Sequence, residues 1–281
     1  MYFSLFERDE SPIKALKFSA LILLYILSLW GCAEWKSIPV TERHPLPHDR
    51  VQYLLSRLAM DSGQESLLKA MAHINIDHPG GKYTRKVAIL AQRPFSLRVD
   101  AIPLFGPSDF FMSVNESFIK VFLPGEGVYY AGKPTKENLE RFFRIPIPTY
   151  QMVSLLMGMP PISITDKLHV TGGYSDGNRH DRIDILSGDV HIQSLWIDAA
   201  DNSLIKAEVL GKDGYSSYNA LFDDFILLGK RAYPQRVRIS MKGMEKIDVT
   251  IKYTDLEISK EVDTDAFDLP VPGGLQPVFL N

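Results

Sequence analysis

The feature that most constrains this chain is a period of two in its apolar side chains, which recurs along most of its length. Phe95, Leu97, Val99 and Ala101 alternate with Ser96, Arg98 and Asp100. Val237, Ile239 and Met241 alternate with Arg236, Arg238 and Ser240. Ile247, Val249, Ile251 and Tyr253 alternate with Asp248, Thr250 and Lys252. A strand throws successive side chains to opposite faces, so each segment has one apolar face and one wet face. Further strands are predicted near 69–77, 83–91, 109–115, 117–123, 126–131, 167–173, 179–186, 190–198, 203–210, 219–228 and 233–242. An open sheet with so many strands tends to curl.

Helical spacing appears in three places. Val51, Leu54, Leu55 and Leu58 mark a helix over 49–60 that Asp49 can cap. Thr135 is a good N-cap for a helix over 136–143, with Glu137 near its positive end. A third helix is predicted from Tyr150 to Met157, stopping at Gly158 ahead of Pro160 and Pro161. The fold class that follows is mainly β (α+β): an unclosed antiparallel β-barrel, or strongly curved sheet, with helices packed as a lid in its concave side. Such a lid leaves either a core filled by side chains or an apolar cavity open to a ligand. The candidate cavity lining is Leu97, Val99, Phe111 and Ile251 from strands, Phe142, Leu155 and Leu156 from helices, and Ile239 from the late sheet.

The N-terminus is of a different kind. Lys14 and Lys17 precede an apolar run over 18–31 that ends in Leu29-Trp30-Gly31-Cys32. A basic flank, a short apolar core and a small residue at its end describe an export signal. The run is shorter than the ~20 residues of a membrane-spanning helix. The four residues resemble a lipobox, in which a bacterial lipoprotein is lipidated on cysteine and cleaved just before it. Gly31 supplies the small residue at the cut, and Cys32, the single cysteine of the chain, supplies the thiol. Lipidation would anchor the chain, since each buried methylene contributes about 0.8 kcal/mol and stable anchoring takes two chains or more. Ala33 in place of aspartate suggests passage to the outer membrane. The expected organisation is a signal peptide over 1–31, a lipidated cysteine and Pro-rich extended tether over 32–48, and one domain over 49–281.

The order of features between Pro103 and Pro161 resembles the LolB-like members of the LolA/LolB lipoprotein-sorting superfamily. These features are Pro103-Leu104-Phe105-Gly106, hairpins around Asn115-Glu116 and Pro124-Gly125, and a helix opening at Thr135-Lys136-Glu137-Asn138-Leu139. Ile145-Pro146-Ile147-Pro148 then leads into a helix ending in Leu156-Met157-Gly158-Met159-Pro160. A weaker match continues around Pro234–Leu256. The resemblance implies a lipid-anchored protein of the outer membrane, facing the periplasm, whose apolar interior accepts lipoprotein acyl chains from a LolA-type periplasmic carrier. It also implies that Leu104, with Phe105 inserted beside it, forms a membrane-facing transfer loop. Two other occupations suit the same scaffold: an envelope sensor or assembly factor that binds a protein, and a carrier of another lipid.

Other chemistries find little support. A net charge of -3 gives no basic excess for nucleic acid. Asp176, His180, Asp181 and Asp184 lie close together, but Asp176-Gly177-Asn178 reads as a hairpin turn rather than a metal loop. Ser187-Gly188-Asp189 lacks the surroundings of a nucleophile elbow, and no zinc-protease, phosphate-loop or dinucleotide motif occurs. The expectation is a binding protein without cofactor or metal, and not an enzyme.

Overall fold

The period-two segments pair into one sheet made of two antiparallel meanders. The structure is a computed structural model that describes residues 44–281 apart from 64–66, 144, 163–167, 176–178, 212–213, 215, 230, 243–245 and 260–263. Gly31 and Cys32 lie outside the described residues, as does the whole of the predicted signal peptide. The described chain opens with a two-residue strand, β1 (His44–Pro45), and helix α1 (His48–Gly63). The first meander follows: β2 (Leu67–His78), β3 (Gly81–Gln92), β4 (Ser96–Ile102), β5 (Phe111–Val114), β6 (Ile119–Leu123) and β7 (Val128–Gly132). Helices α2 (Lys136–Phe143) and α3 (Thr149–Leu156) come next. The second meander is β8 (Leu168–Ser175), β9 (His180–Ser187), β10 (Val190–Asp198), β11 (Leu204–Leu210), β12 (Ser216–Leu228), β13 (Arg231–Lys242) and β14 (Lys246–Ser259). A short strand, β15 (Pro277–Leu280), ends the chain.

The meanders meet along one seam, where β14 pairs antiparallel with β2 and sets Ile251 opposite Ile74 and Val249 opposite Ile76. The sheet stays open among the described residues, bounded by β1 against β8 at one edge and β15 against β7 at the other. This is the strongly curved, unclosed sheet that the alternation predicts, with strands dominating the chain. One detail differs from the predicted tether. Its last residues already belong to the body, with His44 opposite Ser175, Pro45 opposite Tyr174, and the Leu46 N–H on the Gly173 carbonyl at 2.8 Å. Gly173 makes this possible, because a Cβ there would lie 2.7 Å from the Leu46 and Val51 side chains. Thr41–Asn281 is one compact unit with its own apolar core, the arrangement of an independently folding domain.

Side-chain parity sorts the two faces. Val87, Ile89 and Ala91 of β3 point to the same side as Leu97, Val99 and Ala101 of β4, and all are buried. The helices cover this concave face. On α1, Leu54 and Leu58 are buried in the core, and the Arg50 guanidinium binds Asp181 of β9 at 2.8 Å. On α2, Thr135 Oγ1 accepts the Asn138 N–H at 3.2 Å, and Phe142 packs on Tyr130 of β7 at 5.4 Å.

Helix α3 is pinned by polar contacts at both ends. The Tyr218 hydroxyl of β12 donates to Gln151 Oε1 and the Tyr253 hydroxyl of β14 donates to the Leu156 carbonyl, each at 2.8 Å. Arg231 Nη2 donates to the Met157 carbonyl at 3.1 Å, placing a cation at the negative helix end. Burial pushes both tyrosine phenols well above their usual range, so they stay protonated donors. The helix ends at Gly158, whose φ of +64° suits glycine, and a Cβ there would lie 2.5 Å from the Pro234 ring.

The convex face of β4–β7 is crossed by the chain's last segment. Arg98 Nη1 donates to the Ala266 and Asp268 carbonyls, both at 3.0 Å, and Ser113 donates to the Phe267 carbonyl. The Tyr129 hydroxyl donates to the Leu269 carbonyl at 2.5 Å. Lys120 binds Asp268 at 2.8 Å and holds that carboxyl below the usual carboxylate range. The segment then enters the sheet as β15, parallel to β7.

Candidate functional site

An apolar hollow of about 350 Å³ lies between the first meander, the seam and the two central helices. Its floor is Val87 and Ile89 of β3 with Leu97 and Val99 of β4. Ile74 and Ile76 of β2 and Val249 and Ile251 of β14 form the seam side. Phe142 and Phe143 of α2, Ile145, and Met152 and Leu156 of α3 roof it. The roof residues of α3 are four apart, so they share one helix face. A hollow lined this way favours hydrocarbon: burying a methylene contributes about 0.8 kcal/mol.

The hollow has a direction. Along the concave side of β3 the residues are Tyr83, Arg85, Val87 and Ile89. Tyr83 is 49% exposed and Arg85 is exposed, whereas Val87 and Ile89 are 4% and 1% exposed. The outer end is therefore wet and the inner end dry. Asp109 and Phe110, at the foot of the β4–β5 loop, also line the hollow. The loop is closed at its base by the Ala101 N–H on the Phe110 carbonyl at 2.9 Å and by the Ser108 hydroxyl on the Ala101 carbonyl. Beyond that base the loop projects, with Leu104 94% and Phe105 92% exposed. Gly106 turns the tip at a φ of +84°. Two adjacent large apolar side chains this exposed are an arrangement that soluble surfaces usually avoid.

The predicted lining residues are distributed as follows. Leu97, Val99, Phe142, Leu156 and Ile251 face the hollow. Phe111, Leu155 and Ile239 do not line it. Phe111 is the first residue of β5 and stacks on Phe122 at 6.0 Å, on the side crossed by the C-terminal segment. Met112 and Val114 take the concave positions, and it is Phe110 that reaches the hollow. A one-residue offset in a strand exchanges faces completely. Leu155 is on α3 but does not reach the hollow, and it is fully buried. Ile239 has the concave parity, yet it is sealed between Ala220 and Val249 in the adjacent strands.

Residues that sequence reasoning did not single out include Ile74, Ile76, Tyr83, Arg85, Val87 and Ile89. Their signal was present. Tyr83, Arg85, Val87 and Ile89 share one parity, which puts a single charge on an otherwise apolar face.

Of the acidic residues near β9, Asp176 and its predicted turn lie outside the described residues. Asp181 and Asp184 are held by arginines, Asp181 by Arg50 and Asp184 by Arg182 at 2.8 Å. These two carboxylates lie on opposite faces of β9, as their odd and even positions require. Among the described residues no group of three metal-binding side chains occurs. Asp184, His191 and Ser194 do approach one another, but not as a nucleophile relay. Ser194 Oγ lies 3.0 Å from His191 Nε2, and Asp184 lies 3.6 Å from that same nitrogen. A relay needs the acid on the other ring nitrogen. Ser194 is 1% exposed and donates to Asp184 at 2.6 Å.

No family model and no curated protein matches the sequence. Solved structures do match the fold. A LolA superfamily protein from Nitrosomonas europaea aligns over 78% of this chain and 97% of its own, with a TM-score of 0.53 at 14% identity. A putative outer membrane lipoprotein-sorting protein domain from Vibrio parahaemolyticus covers 77% and 95%, with a TM-score of 0.51 at 11% identity. The fold is LolA-like. A DUF1329 family protein from Desulfovibrio piger shares it too, with a TM-score of 0.52 at 12% identity over 79% of this chain and 97% of its own. Within this fold the hollow lies beneath α2 and α3, against the first meander and the seam. Elsewhere under the lid, Val153, Leu155, Met157 and Met159 are at most 1% exposed.

Proposed function

We propose that this protein is an envelope lipoprotein that takes an acyl chain into the hollow and hands lipid to a membrane through the Leu104–Phe105 loop. In this reading it is an acceptor in lipoprotein localisation: it is anchored to the outer membrane through Cys32, faces the periplasm and receives cargo from a LolA-type carrier. The observation that carries the proposal is the continuity of loop and hollow. One eight-residue connection holds Asp109 and Phe110 against the apolar interior and Leu104 and Phe105 out in solvent. Full burial of each tip side chain is worth roughly 1.5–3 kcal/mol, enough to seat the loop in a bilayer at the mouth of the hollow. The LolA-like fold supports the envelope setting, and the Gly31–Cys32 motif supports the anchor. The binding itself requires no metal or nucleotide.

The test is displacement. The unit Thr41–Asn281 is loaded with a fluorescent fatty acid, and a synthetic triacylated lipopeptide is titrated in. Probe uptake followed by displacement is the expected result. A chain that neither takes up the probe nor copurifies with acylated ligand in native mass spectrometry has no lipid-handling role, and the loop would then mark a protein-binding surface.

A further inference from the structure

The hollow is small, and its mouth carries both signs of charge. A volume of about 350 Å³ lies at the low end of small-ligand pockets, roughly 300–1,000 Å³, which favours one acyl chain over two or three. At the outer end, Arg85 on β3 and Asp109 on the β4–β5 loop are the charged side chains among the described residues that line the hollow. Both are exposed, and among the described residues neither forms an ion pair with the other or with any third group. The remainder of the rim is neutral, with Tyr83 beside Arg85 and Phe110 beside Asp109. The neighbouring charges of the β2–β3 hairpin, Asp77 and Lys82, are already paired at 2.8 Å.

An unpaired arginine on the concave face of a sheet runs against the local pattern, since Val87, Ile89, Leu97 and Val99 deeper along the same face are all apolar. A guanidinium presents a donor fork suited to phosphate or carboxylate, and a carboxylate accepts hydrogen bonds from an ammonium. Arg85 stands on β3 and Asp109 on the β4–β5 loop, and both line the same hollow. We propose that the ligand is a single-chain amphiphile with a zwitterionic head. Its one acyl chain lies along β3 towards Ile89, its anionic group meets Arg85 and its ammonium meets Asp109. This rests on the acyl-binding part of the reading above, adds a chain number and a head-group class to it, and replaces its several-chain lipoprotein cargo with a single-chain lipid.

The experiment uses Thr41–Asn281 and four dodecyl-chain probes below their micelle concentrations: a dodecanoyl lysophosphatidylethanolamine, dodecanoate, dodecyltrimethylammonium and dodecyl maltoside. Displacement of a fluorescent fatty acid gives affinity, and native mass spectrometry gives stoichiometry. The lysophospholipid should bind best, at one per protein. Arg85→Gln should weaken the lysophospholipid and dodecanoate by about fivefold, the upper range of an exposed ion pair, and spare dodecyltrimethylammonium. Asp109→Asn should weaken the lysophospholipid and dodecyltrimethylammonium and spare dodecanoate. Equal affinities across head groups, unchanged by either variant, overturn the head-group assignment while leaving acyl binding intact. More than one chain per protein overturns the single-chain assignment. If none of the probes displaces the fatty acid and the hollow takes no chain, the acyl-binding reading falls as well. Both substitutions are at exposed sites, and circular dichroism verifies that each variant is folded.

Discussion

The lid helix α3 hangs from two buried phenols, and removing both is a sharp perturbation. Tyr218→Phe with Tyr253→Phe keeps both rings and deletes only the hydroxyls that reach Gln151 Oε1 and the Leu156 carbonyl. A typical hydrogen bond is worth about 0.5–1.5 kcal/mol net, and a buried acceptor left alone costs about 1–3 kcal/mol. Each change should therefore destabilise by about 1–3 kcal/mol. The pair should cost about 2–4 kcal/mol, less than simple addition because both act on the same eight-residue helix. For a domain of this size, about 2–4 °C per kcal/mol puts the drop in Tm near 5–15 °C. Urea unfolding measures the global term, and amide exchange across 149–157 measures the local one. Protection in that segment should fall further than protection in β3 or β13, and a bound fluorescent fatty acid should exchange faster. A double variant with the parent's urea midpoint and the parent's protection in 149–157 would refute the idea that these hydroxyls hold the lid.

Further expectations follow from other sites. Leu104→Glu with Phe105→Glu should leave the unfolding midpoint unchanged, because both side chains are almost wholly exposed, and should slow lipid transfer to liposomes; transfer at the parental rate removes the loop from the mechanism. Gly158→Ala combines a left-handed backbone, about 1–2 kcal/mol, with a collision against Pro234, about 1–3 kcal/mol, so a urea titration should read a loss of about 2–5 kcal/mol. Alkaline stability depends on the same phenols as the lid. Both folded pKa values lie above the ordinary 10.0, so the folded state keeps protons that the unfolded chain releases. The stabilisation is complete below pH 10 and declines above it at about 1.4 kcal/mol per pH unit for each tyrosine. Tyr253→Phe should take one tyrosine's share, about 1.4 kcal/mol per pH unit, from that slope in unfolding free energies measured with urea across the range, leaving the shares of Tyr218 and of Tyr129, which burial also raises. Cys32→Ala should abolish palmitate labelling in growing cells; a variant that still labels places the lipid elsewhere.

The strands and helices were legible because their patterns are local. In 96–101 of β4, in 236–242 of β13 and in 246–253 of β14, polar and apolar residues alternate without interruption. Gly158 with the prolines after it marks the end of α3. The faces of the sheet follow from the same alternation, but the occupancy of a face does not. Ile239 and Ile251 have identical parity, and only the placement of the helices leaves one sealed and the other beside a void. Two adjacent phenylalanines, Phe110 and Phe111, carry no alternation, and the residue at which pairing with β4 begins decides which one turns inward. The C-terminal strap was illegible for another reason. Phe267, Leu269 and Leu280 are spread among Pro270, Pro272, Gly273 and Gly274 without a period. Its partners are Arg98, Ser113 and Tyr129, side chains that reach for backbone carbonyls rather than for any recognisable motif.

The seam between β14 and β2 has a consequence for the order of events during synthesis. Each meander is built of neighbours in sequence and can zip up as it emerges, whereas the seam joins segments from opposite ends of the domain and must wait for the second to be made. Val249 and Ile251 arrive only with that last partner, so a nascent chain has three walls and no fourth. Lipid captured early would find nothing to retain it. On the proposed function, acyl binding therefore begins only once the seam is complete.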